Sequence, residues 1–240
     1  MKKFSFLILT FAILSLVFFL GLVFLRTPFS LYPLMSYQDA LDLLTPFILI
    51  PIYWLMFKYA SDKPPRLAEE LAFLSVTVFW VLGHGMHLAA NSINNLTEKL
   101  ARSQVTDVFG TSIYTLTYFY DERLSHYLWH IGILGMIGLL VYREWRSPAS
   151  TQTVWWATLL AGVIYGFTYF CIFLEGQTVA LGLSFALIIA LIMLLWGRQR
   201  LAKQSLLAFF STSCLLATIL FIGWGLYWGG FPEFSQVGLI

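Results

Sequence analysis

Seven runs of about 20 mostly apolar residues, separated by short polar connections, leave this chain few ways to fold. A helix needs that length to cross a hydrocarbon layer of roughly 30 Å at 1.5 Å per residue. In that layer an open backbone would leave N–H and C=O groups without partners, so helices are favoured. The runs lie near residues 5–25, 41–60, 68–91, 124–142, 154–175, 178–196 and 205–228. Of the 240 residues 59% are hydrophobic and 11% charged, against about a quarter charged in an ordinary soluble domain. The expected fold is all-α: a polytopic membrane protein forming one seven-transmembrane-helix domain over residues 1–240.

Charge placement orients this bundle. Ten basic residues fall at the N-terminus and in the even-numbered connections: Lys2, Lys3, Lys58, Lys63, Arg66, Arg143, Arg146, Arg198, Arg200 and Lys203. Only Arg26, Lys99, Arg102 and Arg123 fall on the other side, which predicts a cytoplasmic N-terminus and an outer C-terminus. The first run follows Lys2 and Lys3 like a signal peptide, yet it lacks a small-x-small cleavage site and is expected to stay as a helix. A net charge of +2 with no basic face excludes a nucleic-acid partner. Cys171 and Cys214 lie inside apolar runs and form no CxxC motif. Retinal chemistry is excluded because the last run has no lysine for a Schiff base.

All four histidines fall in two short segments, Gly83-His84-Gly85-Met86-His87 and Ser125-His126-Tyr127-Leu128-Trp129-His130. At 100° per residue, His84, His87 and Asn91 share one helix face, and Glu122, His126 and His130 share another. Counting along oppositely directed spans puts both stripes at a similar depth near the outer boundary. Imidazoles at i, i+3 or i, i+4 on one helix can hold a single ion, and carboxylates can balance its charge or orient the rings. The expectation is a metal site with His84, His87, His126 and His130 as ligands, and Glu122 or Glu175 as the catalytic base. Asn91, Asp121, Ser125, Asp39 and Asp42 would stand behind the ligands and orient them.

A plainer account stands beside this one. Membrane histidines also serve as hydrogen-bond links between helices, and Asp39, Asp42, Asp121 and Glu122 suit helix N-termini. Ser125 is placed to bond back within its own helix. The outer connection 92–123 carries Leu96, Leu100 and Val108 interleaved with Lys99, Arg102 and Asp107, then aromatic residues from Tyr114 to Tyr120. That pattern predicts a short interfacial helix and a lid over the site, or an aromatic interface belt.

Four imidazoles with carboxylates and no nearby thiolate suit zinc, iron or copper. Zinc is favoured, because three protein ligands and one open position would activate water toward a lipid-like ester or amide drawn from the surrounding membrane lipid. The residues are similar in kind to those of the seven-helix zinc hydrolases of the alkaline ceramidase and adiponectin receptor class, which place histidines, an aspartate and a serine in membrane helices. Those proteins carry a His-x3-His pair in the last span, whereas His126 and His130 lie in the fourth, so no family is assigned. Iron, copper or one haem held between the third and fourth spans gives a redox alternative. An ion or metal transporter, or a membrane subunit without catalysis, remains a third, in a plasma or bacterial inner membrane.

Overall fold

The computed structural model describes residues 3–102, 109–149 and 153–239. Among the described residues ten α-helices and one small hairpin follow in order. They are α1 (Lys3–Phe19), a 3-10 turn (Gly21–Phe24), β1 (Pro28–Phe29), β2 (Tyr32–Ser36), α2 (Tyr37–Asp42), α3 (Leu44–Tyr59), α4 (Leu67–Arg102) and α5 (Ser112–Tyr118). After a π-helical turn (Phe119–Ser125) come α6 (His126–Arg146), α7 (Trp155–Glu175), α8 (Val179–Ile192), a second π-helical turn (Met193–Gly197), α9 (Arg198–Leu201) and α10 (Ser205–Trp228). Merged across their turns, these give seven helices long and apolar enough to span a membrane, so the chain is an all-α seven-span membrane bundle.

Two boundaries differ from the sequence expectation. The third span does not stop near residue 91, since α4 runs on for 36 residues to Arg102, about 54 Å. The fourth begins at Ser112 and continues through the π-helical turn to Arg146. Most of the expected loop 92–123 is therefore helix. Thr97 bonds back to the carbonyl of Ile93, and Asn94 is tied to Asp121, so the polar end of α4 keeps its helical form against the next span. Asp107 and Val108, part of the expected interfacial helix, lie outside the described residues.

The core is built around α7, the most buried span, which packs between α1 and α10. Small residues bring the backbones close: a Cβ on Gly166 would stand 2.7 Å from the carbonyl oxygen of Ser213, the close approach typical of membrane helices. The Tyr53 and Tyr165 hydroxyls meet at 2.7 Å, and Phe11 packs on both rings.

At the bundle end opposite the histidines, the guanidinium of Arg143, 3% exposed, donates to Phe57 O (2.7 Å), Glu69 Oε2 (2.6 Å) and Lys63 O (2.5 Å). Glu144 is 1% exposed and accepts from Leu207 N at 2.7 Å. It thus serves an unpaired N–H in the first turn of α10. These buried charges fasten α3, α4, α6 and α10 at this end.

Candidate functional site

The two histidine stripes meet because α4 and α6 touch backbone to backbone. A Cβ on Gly83 would lie 2.4 Å from Trp129 N, and one on Gly132 would lie 2.6 Å from Trp80 N. Glycine at both crossings removes the side chains that would separate the helices. His84, His87, His126 and His130 consequently share one level. The His87 and His126 ring centroids are 4.7 Å apart, and those of His126 and His130 are 5.8 Å apart with planes at 8°.

Trp129 occupies the middle of the group, 4.9 Å from His84, 5.9 Å from His87 and 5.3 Å from His130 between ring centroids. It stands one residue from His130 and three from His126, but an apolar tryptophan in a span reads as packing, and sequence reasoning gave it no role.

Each imidazole is engaged separately. His84, 1% exposed, directs Nε2 at the carbonyl of Asp42 (3.0 Å), and that nitrogen is 3.6 Å from Asp42 Oδ1. His126 donates from Nδ1 to the carbonyl of Glu122 at 3.2 Å. His87 Nδ1 is 2.9 Å from Oδ1 of Asp121, whose other oxygen accepts from Asn94 at 2.6 Å. His130 Nδ1 is 2.5 Å from Thr178 Oγ1, while Nε2 of His130 and Nε1 of Trp129 are buried with no partner among the described residues. Each orphaned group costs about 1–3 kcal/mol; two side by side mark a region kept polar against stability.

The remaining candidates are dispersed around this core. Asp39 closes a capping box with Ser36 at the start of α2. Asp42 accepts from Thr45 at 2.5 Å. Ser125 bonds back to the carbonyl of Asp121, and Asn91 accepts from Asn95 at 3.2 Å. The π-helical turn shifts the register so that Asp121 is 1% exposed beneath His87 while its neighbour Glu122 faces a cavity. Glu175 accepts from the backbone N–H of Phe234 at 2.7 Å, an interaction with the C-terminal segment that no short-range pattern signals.

The cavity measures about 770 Å³. Its polar end comprises Asp42, His87, Asn91, Glu122 and His126, and its apolar wall includes Leu16, Val17, Phe18, Phe167 and Ile172. Arg26, Glu175 and Glu233 also line it. Gly176 admits the tight packing behind the histidines: a Cβ there would stand 2.4 Å from His130 Cε1. Asn94, Thr178, Gly176 and Phe234 escaped the sequence reading because each comes near the cluster only through packing.

This geometry corrects the expected metal-dependent hydrolase. Among the described residues no group of three or more His, Cys, Asp or Glu side chains could hold a metal ion. The physical reason is ring arrangement. His126 and His130 lie with near-parallel planes 5.8 Å apart, and the Trp129 indole packs against His84, His87 and His130, filling space among the rings. Metal ligation instead requires nitrogen lone pairs converging at about 2.0–2.1 Å.

Comparison with known proteins agrees with a multi-pass membrane protein and gives no support to a hydrolase. No family model matches the chain, and no solved structure matches it. It is 24% identical over 209 residues to the ceroid-lipofuscinosis neuronal protein 6 homolog of dog (Canis lupus familiaris), a match covering 78% of this chain and 62% of the relative. It is 23% identical over 206 residues to ceroid-lipofuscinosis neuronal protein 6 of human (Homo sapiens), with the same coverages. The chain thus spans less than two thirds of the length of these relatives, whose names state neither an enzymatic activity nor a metal.

Proposed function

We propose that this protein binds an amphiphilic, lipid-like molecule in the cavity beside the histidines, with the chain of the ligand on the apolar wall and its head at the polar end. One observation carries the reading: a single cavity of about 770 Å³ is apolar along α1 and α7 and polar at α4 and the start of α6. That volume falls in the range of roughly 300–1,000 Å³ that small-molecule sites occupy. Val17 and Phe167, both on its wall, are each 45% exposed on the bundle surface, so a chain has a route in from lipid. The names of the relatives refer to ceroid lipofuscinosis and add no ligand.

The distribution of basic residues supports a cytoplasmic N-terminus and Arg143 end, with the cavity opening in the outer leaflet of a plasma or bacterial inner membrane. Glu122, Asp42, His87 and His126 are the residues assigned to the head of the ligand.

A photoactivatable lipid analogue with its reactive group in the chain tests the reading on protein in phospholipid nanodiscs. Labelling should concentrate on peptides containing Val17, Phe167 and Ile172. Cys171→Phe and Leu16→Trp, which fill the cavity from two helices, should each remove it while thermal unfolding persists. Labelling spread evenly over all lipid-facing helices, and indifferent to both substitutions, would overturn the proposal.

A further inference from the structure

The polar end of the cavity carries an excess of acceptors and negative charge, with the Asn91 amide as its side-chain N–H donor. His126 is 6% exposed and lines the cavity. Its Nδ1 faces the carbonyl of Glu122, which can only accept, so Nδ1 carries the proton. In the neutral ring Nε2 is therefore an acceptor, and it has no partner among the described residues. Glu122, one turn earlier, adds a carboxylate that no donor reaches among the described residues. Around the whole cavity Asp42, Glu122, Glu175 and Glu233 face one arginine, Arg26. Arg26 sits at the rim with its Nε donating to Val23 O at 3.1 Å.

Unmatched acceptors beside excess negative charge are satisfied by a cationic head that carries several N–H bonds. From this we infer that the cavity selects amphiphiles bearing a protonated primary amine, with the ammonium donating to the Glu122 carboxylate and to His126 Nε2. A carboxylate or sulfate head could take the Asn91 amide N–H but would sit against the like charge of Asp42 and Glu122. An alcohol has one proton for two acceptors and no charge. A quaternary ammonium carries the charge but no N–H. The ranking among heads of equal chain length is thus amine first, then quaternary ammonium and alcohol, then carboxylate. The inference rests on the amphiphile reading and adds the identity of the head.

Two sources share this chemistry, an amine attached directly to a hydrocarbon chain and the amine of an ethanolamine phospholipid head. The experiment is competition against the chain-labelling probe described above, in phosphatidylcholine nanodiscs. The competitors are dodecylamine, dodecyltrimethylammonium, dodecanol, dodecanoate and dihexanoylphosphatidylethanolamine, each corrected for partition into empty nanodiscs. Dodecylamine, or dihexanoylphosphatidylethanolamine if the amine comes from a phospholipid head, should displace the probe at the lowest concentration. Glu122→Gln should weaken amine displacement roughly tenfold, the scale of one charge-assisted hydrogen bond, and leave dodecanol unchanged. Unchanged dodecanol displacement also reports that the variant is folded. Glu122→Lys should reverse the order and favour dodecanoate. Equal displacement by all five competitors, or an order that survives both substitutions, would overturn the amine head while leaving the amphiphile reading standing. Absence of localised labelling in the first place would end both.

Discussion

At the residue scale the site is an exercise in who stands next to whom. Trp129 packs against His84, His87 and His130, Asp121 stands 2.9 Å from His87, and Gly176 lets the chain after α7 pass directly over His130. The glycine tests how tightly this is set. Gly176→Ala places a methyl group 2.4 Å from His130 Cε1 and 3.4 Å from His126 Cγ, and overpacking of that kind costs about 1–3 kcal/mol. Gly176 has φ −80°, which alanine adopts freely, so the cost is steric alone. Thermal unfolding in detergent should fall accordingly, with weaker probe labelling of the cavity. Gly85→Ala is the matched control, because a Cβ there meets nothing within 4 Å and alanine favours the helix by roughly 0.8–1 kcal/mol. That variant should be as stable as the parent or slightly more so, and equal losses in the two would refute the steric account.

At the element scale the C-terminal segment acts as a strap. Gly229, in the left-handed region at φ 66°, turns the chain out of α10. The segment is then fastened by Trp224 Nε1 to Pro232 O (3.0 Å), Gln177 Nε2 to Glu233 Oε1 (2.5 Å) and Phe234 N to Glu175 Oε1 (2.7 Å). The Phe234 ring packs against Trp224, centroids 5.0 Å apart, and Glu233, Phe234 and Leu239 line the cavity. Among the described residues three hydrogen bonds and the packing of Phe234 on Trp224 and Phe170 hold it, far less than holds a spanning helix, so it opens at low cost. A chain ending at Gly229 should therefore expose Cys171, a cavity-lining thiol, to a water-soluble thiol reagent and speed its modification several-fold. Cys214, buried in α10 and absent from the cavity lining, should stay unreactive in both forms. No change at Cys171 would show that the strap does not cover the cavity.

At the scale of the whole molecule, seven spans put the termini on opposite sides, and the ten-to-four division of basic residues proposes which side is which. A topology reporter fused after Ile240 should be active outside the cytoplasm and one fused before Met1 inside it. Both reporters on one side would require an even number of spans, and the reverse pair would place the cavity in the cytoplasmic leaflet. The two ends of the bundle differ in kind. The Arg143 end satisfies its buried charges with short hydrogen bonds. The histidine end leaves Trp129 Nε1 and His130 Nε2 unpaired among the described residues, next to a cavity that Trp129 lines, a contrast expected between a structural clasp and a binding site.

What the sequence determined alone was set by solvent and by helical period. An apolar run of about 20 residues has one stable form in lipid, so the seven spans were legible. The recurrence of His84 with His87, and of His126 with His130, on single faces was legible because neighbours on a helix follow from 3.6 residues per turn. Only the tertiary structure decided what those faces do. How close the two stripes come depends on the rotation and spacing of α4 against α6, which Gly83 and Gly132 control through contacts with Trp129 and Trp80, 46 and 52 residues away. The same holds for Glu175: its type and its place at the end of α7 suggested a catalytic carboxylate, and its engagement with Phe234 appears only when α10 brings the C-terminal segment back across the bundle. Local period fixes direction along one helix, but the relation between helices is a sum of many weak, long-range packing choices that no short stretch of chain contains.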